Sequence, residues 1–251
     1  MTSIRPIRGD EMNRMTLPET GGRGDDTISL RDALAHVRTR RRALISAVDI
    51  WGDFATWEES CIPSYCHPNR VAAAVSWMRL FAAAKMARDI ALSGPILDFG
   101  ASTGELGHLV ASSRSYHFIE QDAAPASYLR RALPNAHEQT LESAPPNNYA
   151  CVFALDSLEH NDNFAELLDA LAAKLLPEGV LILSGPTENW LYRLGRRIAG
   201  FDSHYHKTTI AHIEDAAARR MTKVAQKTVP VCVPLFKLSA WRVTSPARQE
   251  D

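Results

Sequence analysis

The residues with the clearest chemical promise stand in the run Asp98-Phe99-Gly100-Ala101-Ser102-Thr103-Gly104-Glu105. Gly100 and Gly104 let the backbone pass close to a ligand without a Cβ collision. Asp98 brings a carboxylate to the same loop, and Glu105 brings a second. Such a loop repels a pyrophosphate and suits a ligand that carries positive charge. A dinucleotide fingerprint, G-x-G-x-x-G, would need glycine where Ser102 stands. The plainer role for Asp98 is a strand-end residue capping backbone groups. Twenty residues beyond Gly100 comes Glu120, followed by Gln121. An acid at that spacing accepts both hydroxyls of a ribose. Asp122 competes for the role, because Pro125 follows it in a helix-start pattern, and Glu120 is preferred.

A second set of groups suits proton transfer. Asp156, Glu159 and His160 fall together, and an imidazole accepts a proton near neutral pH. His204 and His206 flank Tyr205 and offer a further pair; their plainer reading is a loop with surface histidines. As metal ligands, His204 and His206 would supply one side of a zinc site, with no matching third ligand. Cys61, Cys66 and His67 lack a partner pair too, since Cys151 and Cys232 fall in predicted strands. No metal is expected.

The elements that must position these groups change character along the chain. Residues 1–27 are polar and irregular, and read as a disordered tail. Ser29 with Asp32 begins a helix carrying Leu30, Leu34, Val37, Leu44 and Val48 as its stripe. The arginines 38 and 40–42 within it read as a solvated face, or as an attraction for phosphate or anionic lipid. A second helix runs from Asn69 to about Ala91, with Val71, Val75, Met78, Ala82, Met86 and Ile90 as its apolar face. Beyond Gly94-Pro95, apolar runs at Ile96–Phe99, Tyr116–Ile119, Tyr149–Leu155 and Val180–Leu183 alternate with helical segments at Thr103–Ser113, Ala124–Leu133 and Phe164–Leu175. Pro177-Glu178-Gly179 is a turn into the last of these strands. Alternating β and α units predict a parallel sheet covered on both faces, with ligands bound at the carboxyl ends of its strands. Val224–Val231 and Leu235–Val243 read as a closing antiparallel pair. The expected organisation is a tail over 1–27, a helical cap over 28–94, and a ligand-binding domain over 95–245.

These motifs resemble a class I S-adenosylmethionine-dependent methyltransferase. The resemblance rests on Leu97-Asp98-Phe99-Gly100-Ala101-Ser102-Thr103-Gly104, on Tyr149 to His160 with its Leu158-Glu159-His160 ending, and on Leu175 to Ser184. The last two are similar to the small-molecule, quinone-biosynthesis-like group. Ser102 departs from the family's usual glycine, and Ala150 from its frequent acid. The resemblance implies a Rossmann-like α/β fold with seven strands in the order 3-2-1-4-5-7-6. The seventh is antiparallel, so Leu235–Val243 should insert beside Val180–Leu183. It also implies S-adenosylmethionine as cofactor, with Thr140 and Leu141 nearest the adenine. Asp98, Gly100, Ser102, Gly104, Glu120, Gln121 and Asp156 complete the expected cofactor contacts. His160, His204 and His206 are the candidates to orient or deprotonate the acceptor.

Methyl transfer from a sulfonium needs the acceptor in line with the methyl–sulfur bond, about 3 Å away. Positioning then supplies most of the catalysis, and a base matters when the acceptor holds its proton tightly. Twenty-eight basic residues against twenty-nine acidic ones exclude a generic polyanion binder. The sequence Asp156-Ser157-Leu158-Glu159 also lacks the Asn/Asp-Pro-Pro-aromatic motif of enzymes that methylate DNA amino groups. A small-molecule or glycan-type acceptor, methylated on oxygen, is therefore expected. The insertion with Trp190, Tyr192, Arg193, Arg196 and Arg197 is a candidate to hold it. Four cysteines make no disulfide scaffold, so a reducing cytoplasm is expected. No apolar run approaches the roughly 20 residues that span a bilayer. A nicotinamide-dependent oxidoreductase and a non-catalytic S-adenosylmethionine-binding protein are the alternatives.

Overall fold

The computed structural model describes residues 28–50, 52, 57, 60–112, 114–187, 208–231 and 233–243. The predicted tail, the insertion with Trp190 to Arg197, and His204 and His206 lie outside the described residues. Among the described residues, three helices with defined bounds precede the sheet: α1 (Leu30–Ala47), α2 (Ile62–Tyr65) and α3 (Arg70–Ile90). The α1 cap is the expected one, with Ser29 Oγ accepting from Asp32 N at 3.2 Å. Asn69 caps α3 by accepting from Val71 N and Ala72 N. These side chains satisfy amides that the first helical turn leaves without partners.

The sheet follows. Its strands are β1 (Ile96–Phe99), β2 (Tyr116–Ile119), β3 (His137–Glu138), β4 (Tyr149–Leu155), β5 (Leu175–Pro186), β6 (Met221–Val229) and β7 (Phe236–Val243). The order is β3-β2-β1-β4-β5-β7-β6. All neighbours pair in parallel except β7, which runs antiparallel to both β5 and β6. The register Leu181↔Trp241 to Pro186↔Phe236 inserts β7 beside β5, as expected. Among the described residues, helices α4 (Gly107–Val110), α5 (Ala123–Ala132), α6 (Phe164–Ala172) and α7 (Ile210–Ala218) stand between the strands.

β1 and β4 are buried along their whole length, which a parallel sheet covered on both faces requires. Side chains alternate between two cores. Ile96, Tyr116, Phe118, Phe153 and Ile182 share one core with Trp77 and Leu80 of α3. Leu97, Phe99, Val152 and Leu183 share the other with Leu168 of α6 and Ile213 of α7. Asp98 takes the same side of β1 as Ile96, and so faces the N-terminal helices.

Three expectations need correction, and one strand carries no sequence signal of its own. β5 begins at Leu175, and Pro177-Glu178-Gly179 forms an irregularity inside it. The register jumps there from Tyr149↔Leu175 to Cys151↔Val180, and Glu178 takes a φ of 63°. A bulge tolerates the missing proline N–H that a regular ladder would not. β3 is two exposed polar residues, too short for an apolar pattern to reveal. The stripe assigned to α3 is misplaced: Val71 is 73% and Met78 45% exposed, while Trp77, Arg79 and Leu80 are buried. On α1, Leu30 and Leu34 also face outward, and only Leu44 is fully buried.

Candidate functional site

The strand order reverses between β1 and β4, and open α/β sheets bind ligands at the carboxyl ends of such strands, a place called the crevice here. The loop after β1 bends through three left-handed residues: Gly100 (φ 73°), Ser102 (φ 50°) and Gly104 (φ 77°). A Cβ on Gly100 would lie 2.5 Å from the Cβ of Ser157, just beyond β4. The two loops therefore meet across the crevice with no room for a side chain. Ser102 holds a conformation that costs a non-glycine residue energy. The left-handed Gly104 also stops the helix expected from Thr103, and α4 begins only at Gly107. The loop hydroxyls of Ser102, Thr103 and Ser157 are buried and have no hydrogen-bond partner among the described residues. Buried polar groups normally find one; Glu214 Oε1 and Arg242 Nε, elsewhere in the fold, lack one too.

Two acids close the loop. Glu120 follows β2 and accepts from Ser102 N at 2.6 Å and Asp122 N at 2.9 Å. Its carboxylate thus lies on the loop, whereas Asp122 is exposed. Burial raises its pKa, opposed by those backbone amides. Asp98 is 3% exposed and accepts from Tyr116 OH at 2.6 Å. Burial pushes its pKa up to about 7, aided by the charge of Glu120 and opposed by the Tyr116 hydroxyl and by Arg79.

The N-terminal helices supply the cations. Arg40 of α1 grips both oxygens of Glu105, with Nε–Oε2 at 2.9 Å and Nη2–Oε1 at 2.8 Å. Arg79 of α3 is ion-paired with Asp156. It also donates to Tyr65 OH at 3.2 Å and stacks over the Phe236 ring at 5.3 Å. Asp156 is left-handed (φ 50°) and accepts from Ser184 Oγ at 2.7 Å. Arg40 and Arg79 thus offset Glu105 and Asp156, which leaves Glu120 and the part-protonated Asp98, whose ionised form a cationic ligand would favour. The arginine run of α1 is therefore no uniform solvated face. Arg40 and Arg41 turn inward, and Arg41 donates to the carbonyls of Tyr65 and His67 at 2.8 and 3.1 Å.

Topology brings the remaining candidates to the same edge of the sheet. Gln121 follows β2 and is exposed; Thr140 and Leu141 follow β3. Thr140 and Ser143 exchange hydrogen bonds that fold this stretch into a turn. Leu158–His160 forms a 3₁₀ turn beyond β4, with Leu158 and Glu159 buried and His160 exposed. Among the described residues, no group of three or more histidines, cysteines, aspartates or glutamates is placed to hold a metal. Nothing in the sequence singled out Arg79, Tyr116 or Ser184, and Arg40 stood out only as one of a basic run, without its partner Glu105. The only signal for Arg79 was a charge within an alanine-rich helix that has few polar positions.

A family model described as a methyltransferase domain matches residues 73–228. The chain belongs to this family; it is a class I S-adenosylmethionine-dependent methyltransferase. No curated protein sequence matches it. Among solved structures, it resembles the PH0226 protein of Pyrococcus horikoshii OT3 at 14% identity and a TM-score of 0.58, over 72% of this chain and 96% of that one. It resembles the N-methyltransferase NodS of Bradyrhizobium japonicum WM9, determined with S-adenosylhomocysteine, at 13% identity and 0.57, over 84% and 99%. It resembles the magnesium protoporphyrin IX methyltransferase of Synechocystis PCC 6803, also with S-adenosylhomocysteine, at 16% identity and 0.56, over 82% and 99%. At these identities the likeness concerns the fold. The residues present fit the methyl donor, on the left-handed loop after β1 and the Asp98 and Glu120 carboxyls beside it. The nicotinamide alternative falls with the family assignment. No described helix is long and apolar enough to cross a membrane.

Proposed function

We propose that the crevice between β1 and β4 holds S-adenosylmethionine and that the enzyme methylates a hydroxyl of a small-molecule or glycan-type acceptor. The observation that carries the donor assignment is the left-handed loop with the buried, under-compensated Asp98 beneath it. When bound, the donor supplies a methyl group on a positively charged sulfur, activated for displacement. Gly100, Ser102 and Gly104 give the backbone close approach. Asp98 and Glu120 provide the negative charge and the ribose contact, with Gln121 beside them. Thr140 and Leu141 border the adenine. Asp156 walls the crevice with a carboxylate fixed by Arg79 and Ser184.

His160 is exposed at the same edge, where an imidazole suits removal of a hydroxyl proton. His204 and His206 remain the alternative bases. The near-balance of charge supports a small acceptor over a nucleic acid. The test is methyl transfer from isotopically labelled donor to acceptor panels sorted by nucleophile: hydroxyl, amine and carbon. Labelled methyl ethers among the products, with a rate that falls in His160→Ala, are expected. Transfer confined to amines would overturn the O-methylation reading.

A further inference from the structure

We propose that Arg40 of α1, which lies outside the stretch matched by the methyltransferase family, is a positioning residue for the methyl donor, coupling the docking of α1 to occupancy of the crevice. The inference rests on the donor reading above. The family match begins at residue 73, thirty-three positions after Arg40. Yet the guanidinium of Arg40 holds both oxygens of Glu105, the residue immediately after Gly104. The Glu105 side chain is fully buried and that of Arg40 is 14% exposed. Two parallel charge-assisted hydrogen bonds fix a carboxylate in orientation as well as position. Arg40 also donates to Tyr128 OH of α5 at 3.3 Å. One side chain thus joins α1 to the donor loop and to the helix after β2.

The attachment has no slack on the α1 side. One residue on, Arg41 is tied to the carbonyls of Tyr65 and His67, beside the Arg79–Asp156 pair. One turn back, His36 lies edge-on to Trp77 and Phe81. The groups facing Arg40 are His36 from its own helix, His108 from α4, Tyr128 from α5 and Glu105. Glu105 is the only acid among them. Its carboxylate meets Arg40 only when the turn after Gly104 holds its observed course. A ligand that fixes the Gly100–Gly104 loop therefore favours the docked α1, and by reciprocity docked α1 favours the ligand.

The test uses the full chain and S-adenosylhomocysteine as probe. In the wild type, the probe should slow amide hydrogen exchange across residues 30–47. The double variant R40M/E105M replaces the pair by apolar side chains and leaves no unpaired buried charge. It should bind the probe roughly tenfold more weakly, and its α1 should gain no protection from it. R40K keeps a single point of attachment and should fall between. Where turnover is measurable, KM for the donor should rise more than kcat falls, an asymmetry that a general loss of fold would not produce. Unchanged probe affinity in R40M/E105M would overturn the proposal. So would a wild type that binds the probe without protection of α1, a result independent of how the variants fold. A wild type that fails to bind the probe at all would instead overturn the donor reading.

Discussion

Two regions of this molecule bury acids, and they do so in opposite ways. On the hairpin side, Glu214 of α7 accepts from Lys223 at 2.8 Å and Lys237 at 2.5 Å. Burial works against its charge, but the lysines and Ser239 outweigh burial and hold its pKa below the usual value. Lys223 also lies over the Trp241 ring. No residue of α7, β6 or β7 takes a left-handed conformation. At the carboxyl edge of β1 and β4 the balance tips the other way. Burial wins at Asp98, Glu105 and Glu120, whose pKa values all rise. The backbone there is left-handed at Gly100, Ser102, Gly104 and Asp156. Glu214 has two lysines on its Oε2 and keeps its charge, although its Oε1 is buried without a hydrogen bond. Glu105 has Arg40, but Asp98 and Glu120 have no ion pair of their own among the described residues, and there a positively charged group would gain most.

Gly100→Ala should break the carboxyl edge most severely. The new Cβ would sit 2.5 Å from that of Ser157, on a residue at φ 73°. The loop must move or bear strain of about 1–3 kcal/mol, which at its upper end is on the order of a hundredfold in affinity. Calorimetric titration with S-adenosylhomocysteine should register a loss of that size. Retained affinity would mean that the close meeting of the two loops has no part in binding.

Asp98→Asn comes next, with a loss of S-adenosylmethionine affinity of roughly tenfold. Its signature is pH dependence. In the free protein the Asp98 carboxyl, raised to about 7 from 3.8, contributes stability that is fully present below 3.8 and lost as pH rises through 7. A cationic ligand favours the ionised form and drives the proton off. Affinity for the donor should therefore rise with pH up to about 7 and then level, and the variant should show a flatter profile. Equal profiles in the two proteins would remove Asp98 from the site.

The hairpin side should respond in stability alone. Glu214→Gln leaves Lys223 and Lys237 without their counter-charge. Both lysines are partly exposed, so solvent softens the loss to about 1–2 kcal/mol. Urea denaturation should show the shift while affinity for S-adenosylhomocysteine holds. A fall in affinity as large as that of Asp98→Asn would erase the contrast between the regions.

Much of the carboxyl edge was legible in the sequence because it is local. β1, β2 and β4 occur at the residues their apolar runs indicate, since a strand buried on both faces needs no long-range information to be seen. Gly100 and Gly104 stand in the loop they form, and Glu120 directly follows the next strand, β2. The ion pairs were not legible. Arg40 to Glu105 spans sixty-five positions, and Arg79 to Asp156 joins a helix to the far end of a strand. Nothing in the spacing of arginines tells which will turn inward. The α3 stripe failed for a related reason: a helix with many alanines offers apolar contacts on several faces, and Trp77 rather than Val71 or Met78 decides which one is buried. β3 is held by its pairing with β2 at His117↔His137 and Phe118↔Glu138, with no apolar run of its own.

At neutral pH the smallest effect belongs to the histidines beside Arg40, and it separates the two kinds of titrating group at one edge. Burial first, then Arg40, lowers His36 from 6.5 to about 4. Burial, Arg40 and His36 lower His108 to about 3. A histidine depressed in the fold contributes stability above 6.5 that is lost as pH falls toward those values. Each costs up to about 1.4 kcal/mol per pH unit in that window. Asp98 acts in the opposite sense over the same window, because the folded state already holds its proton while the unfolded chain does not. Replacing His108 by Gln should therefore make the acid-side loss of stability shallower between about 6.5 and 4. Replacing Asp98 by Asn should make it steeper. Urea midpoints measured across that range decide the matter, and slopes that shift in the same direction for both variants would show that these groups do not set the acid response of the carboxyl edge.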